Sequence, residues 1–209
     1  MRFWRGFSMV AIPAIALAFG GKKDDVKFEP GPASSYAARQ TNDRVTVGAA
    51  AYTEEERARA AFGKHNPYQY GILPVLIVVQ NDMDEPLRLT GIQAEFVQAD
   101  GRHIEAVPPA DIPATAARQP KDGAGVPPVR LPIPLPKKKN PLAGAEIDER
   151  SFSAKMLPPH DSAEGFFYFQ TRLLPGAKLY LTGMQGARTG KGILYFEIPI
   201  EEDKSPAVK

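Results

Sequence analysis

Residues Gly71–Gln80 read GILPVLIVVQ, and this stretch decides the fold. It is an almost unbroken apolar run rich in β-branched side chains, which is typical of a strand that is buried on both faces. Pro74 stands near its start and has no amide hydrogen to give to a ladder, so we expect the chain to enter this strand from an edge or a bulge. The run therefore predicts a central strand.

The residues before this run predict another strand and a helix. Arg44–Tyr52, RVTVGAAAY, alternates apolar side chains with polar or small ones, which is a strand pattern. Thr53 and Glu56 then stand three residues apart, as in a capping box, in which the hydroxyl accepts from a helical amide and the carboxylate reaches back. In the following EEERARAAF the acidic residues precede the basic ones, and Gly63 is a stop signal. We predict one short helix here.

The residues after the central run predict a strand with an irregularity, followed by a hairpin. In Leu87–Gln98, LRLTGIQAEFVQ, apolar and polar side chains alternate, but the apolar parity shifts at Gly91. A β-bulge at Gly91 accounts for such a shift. Asp100 and Gly101 form a strong hairpin signal, and RHIEAV predicts the returning strand as far as Val107.

Residues 108–147 differ in composition from the rest, because they are rich in proline and contain VPPVRLPIPLPKKKNP. Proline cannot donate to a ladder, so this segment is not a central strand. We predict an insertion, partly in polyproline II conformation, that crosses or covers the sheets.

Four closely spaced strands are predicted in the last part of the chain. They are Phe152–Leu157, Gly165–Thr171, Ala177–Met184 and Gly192–Ile200, joined by segments with turn residues. We therefore predict an all-β fold for residues 44–200, an immunoglobulin-like β-sandwich of about seven or eight antiparallel strands with one short helix and the proline-rich insertion.

Met156–Thr171, MLPPHDSAEGFFYFQT, combines a polar turn with the most aromatic run of the chain. The two prolines end one strand, and the Asp and Ser that follow can bond their own backbone to close the turn. Alternation then places Phe167 and Phe169 on one face of the next strand, and Phe166 and Tyr168 on the other. We expect both faces of this strand to be covered, the outer one by the insertion.

Two stretches resemble a known group of domains. LPVLIVVQNDMDEPLRLTGIQAEFVQADGR resembles the run of bacterial exported immunoglobulin-like domains, with an apolar strand, Asn in a turn, a second strand and Asp-Gly. Leu157–Phe169 is similar to their recurring L-x-P-G-x-x-x-x-G-x-x-x-F segment, with His160 where Gly is commoner. The resemblance covers residues 44–98 and 152–200. It implies this fold and an exported setting, as in accessory lipoproteins, and it carries no catalytic site onto the chain.

The chain ends are interpreted as follows. Residues 1–18 combine Arg2 and Arg5, an apolar stretch and the small-x-small triplet Ala16-Leu17-Ala18, which predicts a signal peptide, with an uncleaved anchor as the alternative. Residues 19–43 are predicted to be a flexible leader, and residues 201–209 a disordered tail. We expect an extracytoplasmic protein, periplasmic or secreted, without a stable membrane span after cleavage.

Charge and cysteine content exclude several classes of protein. Removal of residues 1–18 takes away two of the 26 basic residues and none of the 24 acidic ones, which leaves a net charge of zero. A neutral domain has little electrostatic reason to bind nucleic acid. The sequence contains no Cys, so it has no disulfide, thiol chemistry or N-terminal lipid anchor on Cys.

The candidates for chemistry are few. His65, His103 and His160 lie in separate segments, so we predict no metal site. The segment GARTGKG (residues 186–192) has only three residues between its first two glycines and Gly after Lys, so a hairpin turn is favoured over a phosphate-binding loop. We expect no cofactor and no catalytic residue.

Binding is the expected role. Tyr68 and Tyr70, in HNPYQYG before the central run, are the best aromatic candidates, and Lys137, Lys138 and Lys139 could contact an anionic polymer or lipid headgroup. We predict a non-catalytic exported binding or scaffold module that contacts another cell-envelope protein. A carbohydrate- or peptidoglycan-binding module and an enzyme with a site assembled from scattered residues remain the alternatives.

Overall fold

The computed structural model describes residues 28–118, 142, 146–193 and 195–201. The strands in these ranges are β1 (Ala38–Asn42), β2 (Val45–Ala51), β3 (Leu73–Asn81), β4 (Leu87–Arg88), β5 (Gln93–Val97), β6 (His103–Glu105), β7 (Met156–Leu157), β8 (Asp161–Phe169), β9 (Lys178–Thr182), β10 (Gln185–Gly186) and β11 (Phe196–Pro199). The α-helices are α1 (Glu55–Phe62), α2 (Ile112–Arg118) and α3 (Ile147–Arg150), and 3-10 turns occupy Ala33–Ser35, Pro67–Tyr70 and Pro109–Asp111.

The strands form three antiparallel sheets. Strands β1, β2, β3 and β8 lie in that order in what we call the large sheet. The orders β10-β4-β7 and β11-β9-β5-β6 form two further sheets, which together we call the facing layer. The predicted all-β class is confirmed as mostly β, with eleven strands in the described ranges against the seven or eight predicted.

The central strand is confirmed as β3, which pairs with β2 on one side and β8 on the other. Every residue of β3 except Gln80 is buried. Pro74 costs little here because it precedes the first β2–β3 pair, Ala51 with Val75, while its carbonyl still accepts from the Tyr52 amide at 2.9 Å.

One core lies between the large sheet and the facing layer. Val75, Ile77 and Val79 of β3 belong to it, and Phe96, Leu179, Leu181, Phe196 and Ile198 come from the facing layer. Each such side chain contributes about 1.5–3 kcal/mol when it is fully buried. We call this the inner core.

The other face of the large sheet is covered by helices. Phe62 of α1, Ile112 of α2 and Ile147 of α3 pack with Leu76, Phe166 and Tyr168 in a second cluster, the outer core. The rings of Phe62 and Phe166 lie 4.7 Å apart between centroids. The expectation that β8 is covered on both faces is confirmed, and the segment 108–147 takes part through residues of α2 and Leu142.

The prediction of a single helix is wrong, because α2 and α3 lie inside or next to the segment that we interpreted as a proline-rich insertion. Pro113 is the second residue of α2, and prolines at the start of a helix are tolerated because the first amides have no partner within it. The predicted polyproline II conformation falls mainly on residues 119–141 and 143–145, which lie outside the described residues. The predicted signal peptide and residues 202–209 of the predicted tail lie outside them as well.

The predicted bulge at Gly91 is also wrong. β4 and β5 belong to different sheets, and the chain passes between them through a turn in which the Ile92 amide donates to the Leu89 carbonyl at 3.0 Å. The shift in apolar parity therefore marks a change of sheet.

Helix α1 is confirmed, but its predicted capping box is not. Glu54 is the N-cap residue and its side chain makes no capping hydrogen bond. Helix α1 begins one residue later than the box requires, and Glu55 directs its carboxylate to Arg59 and Asn66 at 2.8 and 3.1 Å.

Part of the predicted flexible leader 19–43 is ordered as a 3-10 turn and β1. Strand β1 reads ARQTN, so no apolar alternation reveals it. Its polar side chains tie it to β11: the Asn42 amide donates to the Tyr195 carbonyl, and Gln40 accepts from the Glu197 amide, both at 2.8 Å. The leader prediction is therefore wrong for residues 33–42.

Tyr168 links α3 to the large sheet, because its buried hydroxyl donates to the Ile147 carbonyl at 2.8 Å. Burial raises the pKa of Tyr168. The neutral hydroxyl thus contributes stability that is complete below the ordinary tyrosine pKa of about 10 and is lost as the pH rises above it. We expect Tyr168→Phe to lower the free energy of unfolding by about 1 kcal/mol at pH 7 and to lessen the loss of stability between about pH 9 and pH 11.

Urea unfolding of the wild type and Tyr168→Phe at pH 7, 9 and 11 measures these free energies. Tyr195→Phe is the matched control, because Tyr195 is 50% exposed, and we expect no change at pH 7. A Tyr168→Phe variant as stable as the wild type at pH 7 would contradict the role of this hydroxyl.

Candidate functional site

A charged cleft of about 350 Å³ opens where β3 ends. Three connections build it: the β1–β2 turn, the β3–β4 loop and the β10–β11 loop. Its lining residues are Asp43, Arg44, Met83, Asp84, Glu85, Gly186, Arg188, Lys191 and Ile193. Loops held by a rigid sheet are a common place for binding residues.

The left-handed backbone conformations of the described non-glycine residues occur at the cleft or next to it. Among the described residues, Asp43, Arg44 and His160 are the non-glycine residues with positive φ, at 47°, 64° and 59°. The first two line the cleft, and the His160 Nε2 atom lies 3.3 Å from Oδ1 of Asp84. A left-handed conformation of a non-glycine residue costs on the order of 1–3 kcal/mol, and such strain concentrates at functional sites.

Arg44 illustrates this cost. The β1–β2 connection has only two residues, since Asn42 pairs with Val45, and both have positive φ, as in a type I′ turn. Such turns favour Asn-Gly or Asp-Gly. Here Arg stands in place of Gly, and its guanidinium donates to Oδ2 of Asp84 at 2.8 Å.

Asp84 is held from two sides by Arg44 and His160. The hydrogen bond and charge of Arg44 lower the pKa of Asp84, and His160 adds a smaller contribution in the same direction. Asp84 is therefore ionised at neutral pH. His160 occupies the turn position where the resemblance predicted Gly, which its positive φ explains.

The glycine-rich segment 186–192 binds the carboxylate of Glu85. The amides of Arg188 and Thr189 donate to Oε2 at 3.0 and 3.1 Å, and the Thr189 hydroxyl donates to Oε1 at 3.0 Å. The predicted hairpin turn is confirmed in part: Gln185 and Gly192 form an antiparallel bridge across it, but β10 and β11, which the segment joins, belong to different sheets. Its amides nevertheless form a small anion-binding loop, and the anion is supplied by this chain.

The cations of the cleft are Arg44, Arg188 and Lys191. The Lys191 ammonium lies 3.3 Å from Oδ2 of Asp43. The Arg188 guanidinium donates to the backbone carbonyl of Asp84. No ion pair between described residues involves Arg188, although its charge helps to lower the pKa of Glu85. Met83 and Ile193 add apolar surface to the lining.

The protonation of Glu85 makes the stability of the protein depend on pH. Desolvation works against the charged form, but the hydrogen bonds from Thr189 and Arg188 prevail and lower the pKa of Glu85. The carboxylate therefore contributes stability above the ordinary glutamic acid pKa of about 4.3, and this contribution is lost as the pH falls further. We expect Glu85→Gln to be less stable than the wild type at pH 7 and to lose less stability between pH 7 and about pH 3.

Urea midpoints at the two pH values test this, with the exposed Glu105→Gln as the control. Equal pH dependence in the wild type and Glu85→Gln would show that the loop does not stabilise the carboxylate.

The predicted tyrosine pair is not brought to one surface. Tyr68 packs against the inner core, where its hydroxyl accepts from the Leu173 amide at 3.3 Å, whereas Tyr70 packs against the outer core. Both stand just before β3, at the end of that strand away from the charged cleft. Lys137, Lys138 and Lys139 lie outside the described residues.

The three histidines remain separate from one another. His103 contacts Glu95 with 2.7 Å between Nδ1 and Oε2, His160 contacts Asp84, and His65 follows α1. Within the described ranges, no group of three or more His, Asp or Glu residues has an arrangement suited to a metal ion.

The lining residues of the cleft were not predicted. Two local signals pointed to it: His160 at a position where Gly is commoner, and the segment GARTGKG. Neither signal shows that two loops about a hundred residues apart meet, which the contacts of Glu85 with Arg188 and Thr189 reveal.

Comparisons with known proteins identify no family. No family model and no curated protein matches the chain. It is similar to a solved structure described as a putative lipoprotein (ycdA) from Bacillus subtilis subsp. subtilis str. 168, with 12% identity, a TM-score of 0.36, and coverage of 78% of this chain and 38% of that one. A Northeast Structural Genomics Consortium target has 14% identity, a TM-score of 0.34, and coverage of 80% and 94%.

Both TM-scores are too low to assign a fold or a function. This chain spans little more than a third of the first of these structures. In the described part of the chain, every helix is too short or too polar to cross a membrane.

Proposed function

We propose that the protein is an exported, non-catalytic binding module with an immunoglobulin-like sandwich, and that it contacts another cell-envelope protein through the charged cleft. The observation that carries this proposal concerns the described non-glycine residues with positive φ: Asp43 and Arg44 line the cleft, and His160 contacts Asp84 of its lining. Glycine would satisfy each of these positions without strain.

Strain of this kind supports a function for the side chains. The ion pairs of the cleft do not explain it, because the side chains of Arg44 and Asp84 are 59% and 74% exposed, and exposed pairs contribute about 0–1 kcal/mol. The side chains are therefore kept at a net cost to stability, and an external partner accounts for that cost.

Export is supported by the predicted signal peptide in residues 1–18. A binding role is supported by the position of the cleft, which is formed by loops at one end of the sheets.

The experiment uses variants that remove cleft side chains without weakening the fold. We expect Arg44→Gly and His160→Gly to be as stable as the wild type or more so, because each removes a left-handed non-glycine residue. In cells that naturally make the protein, in-cell crosslinking should trap a complex with an envelope protein, and both variants should reduce its yield.

Arg102→Gln is the matched control, because Arg102 lies far from the cleft, in the β5–β6 turn. The neighbouring Gln98 donates its side-chain amide to Thr171, which follows the end of β8 that lies away from the cleft. The yield of crosslinked complex with Arg102→Gln should equal that with the wild type. Complex formation by folded Arg44→Gly at the wild-type yield would contradict the proposal.

A second candidate function has its own support. The rings of Tyr180 and Tyr195 stack at 5.0 Å between centroids on the outer surface of the facing layer, and Tyr195 is half exposed. Exposed tyrosine faces suit sugar rings, and Glu95 and Glu197 flank Tyr180 across the strands and could accept from hydroxyl groups.

A carbohydrate-binding module would therefore use Tyr195 rather than Tyr68 or Tyr70. Affinity electrophoresis in gels with embedded polysaccharide tests this: Tyr195→Ala should abolish the retardation, while Tyr68→Ala should preserve it. Equal retardation of wild type and Tyr195→Ala would reject this candidate.

A further inference from the structure

We propose that the charged cleft takes a carboxylate that carries a short apolar group, as an acidic segment of a protein partner presents it. This inference rests on the proposed function and names the chemistry of the partner's contact.

The hydrogen-bond donors that face the cleft, and not its net charge, favour an anion. The cations are Arg44, Arg188 and Lys191, while the carboxylate of Glu85 turns into the 186–192 loop and is satisfied there. The oxygens of Glu85 are thus occupied while its charge remains, so the carboxylates of Asp43, Asp84 and Glu85 balance the three cations. Arg188 is the cation that no ion pair between described residues involves, and an anion would give it one.

Arg188 is the anchor of this site. Its backbone amide holds Glu85 and its guanidinium holds the carbonyl of Asp84, so both ends of the side chain are positioned. A carbonyl carries no net charge, and a guanidinium has five N–H donors, so Arg188 keeps donors and charge for a ligand. A carboxylate can use two of these donors at once.

The other cations can turn to a ligand at small cost. Arg44 and Lys191 are paired with Asp84 and Asp43 at 2.8 and 3.3 Å, and the side chains of the two cations are 59% and 67% exposed. Exposed ion pairs contribute about 0–1 kcal/mol, so an incoming carboxylate can compete with them.

An apolar group is expected beside the carboxylate. Met83 and Ile193 line the same cleft, and Met83 is half-buried against the inner core. The cleft volume of about 350 Å³ lies near the lower limit of ligand pockets, which suits one or two side chains.

Nuclear magnetic resonance titration of the 15N-labelled protein provides the test. Isovalerate carries a carboxylate and a branched apolar group, isovaleramide has the same shape without charge, and isoamylamine reverses the charge. Isovalerate should shift the amide signals of residues 186–193 and 43–44 in a saturable manner. Isovaleramide and isoamylamine should bind at least fivefold more weakly.

Variants locate the site and fix the role of Arg188. Arg188→Gln should weaken isovalerate binding at least fivefold, whereas Arg102→Gln should leave it unchanged. Comparison of acetate with isovalerate measures the apolar contribution, and acetate should bind more weakly. Inorganic phosphate at equal ionic strength distinguishes a phosphate-bearing partner.

The outcomes separate this inference from the proposed function. Equal shifts with isovaleramide, tighter binding of isoamylamine or phosphate, or shifts away from the cleft would overturn the carboxylate inference. If crosslinking still depends on Arg44 in that case, the proposed function stands. If isovalerate binds as expected but Arg44→Gly leaves the yield of crosslinked complex unchanged, the proposed contact with an envelope protein is wrong while the anion site remains.

Discussion

Replacing Asn81 with leucine is expected to lower the free energy of unfolding by about 3–5 kcal/mol. Asn81 ends β3 and is fully buried. Its amide nitrogen donates to the carbonyls of Glu85, Leu157 and Pro158 at 3.0, 3.3 and 2.9 Å, and its oxygen accepts from the Met83 amide at 3.1 Å. Leucine would leave these backbone groups without their partner in a place that water does not reach.

Asn81→Asp sharpens this prediction because it keeps the shape and removes the donor. At pH 7 a carboxylate would face three carbonyl oxygens, so we expect a loss at least as large as that of Asn81→Leu. Relative to the wild type at the same pH, this loss should shrink as the pH falls, because a protonated carboxyl can again donate one hydrogen bond.

Urea unfolding of both variants gives the measurement. Asn42→Leu is the control: it removes the hydrogen bond to the Tyr195 carbonyl and a long one, of 3.5 Å, from Gln40, both at a partly exposed residue, and it should cost about 1 kcal/mol. A cost of that size for Asn81→Leu would show that Asn81 does not hold the loops together.

Gly183→Ala is expected to cost about 3 kcal/mol or to prevent folding. Gly183 has a φ of 85°, and a Cβ atom there would lie 1.8 Å from the Gly91 carbonyl oxygen. The two glycines mark a point where the β4–β5 turn and the β9–β10 turn meet backbone to backbone. Neither backbone can yield without moving a sheet, so both strain and overpacking act against alanine.

Gly190→Ala separates the two effects. Gly190 also has positive φ, at 66°, but a Cβ atom there would have nothing within 4 Å. It should cost only the backbone term, about 1 kcal/mol. Similar melting temperatures for the two variants in differential scanning calorimetry would refute a steric conflict at Gly183.

The strands were predictable where burial imposes a pattern on the side chains. β3 is buried on both faces and appears as an apolar run, while Phe166 to Phe169 in β8 alternate between the inner and outer cores. Strand β1 was missed because its position depends on hydrogen bonds from Gln40 and Asn42 to β11, which leave no periodic signal.

The candidate site was predictable only in fragments. The segment 186–192 was recognised as a turn, and His160 as an unusual residue for its position. Their proximity follows because β3 ends and β8 begins at the same end of the large sheet, where the loop after β10 also lies, and single-sequence patterns do not encode that. The predicted Tyr68 and Tyr70 illustrate the opposite failure, because neighbours in sequence pack against two different cores.

The large sheet and the facing layer are connected by different kinds of hydrogen bond on their two flanks. On one flank the backbone crosses between layers, with the Val107 amide donating to the Tyr168 carbonyl at 2.7 Å and Ala106 bridging Phe169. On the other, only the side-chain amides of Gln40 and Asn42 span from β1 to β11 in the hydrogen bonds of the described residues. The two layers are therefore held firmly on the first flank and weakly on the second. Slow local opening of the native state should begin on the second flank, where β1 meets β11.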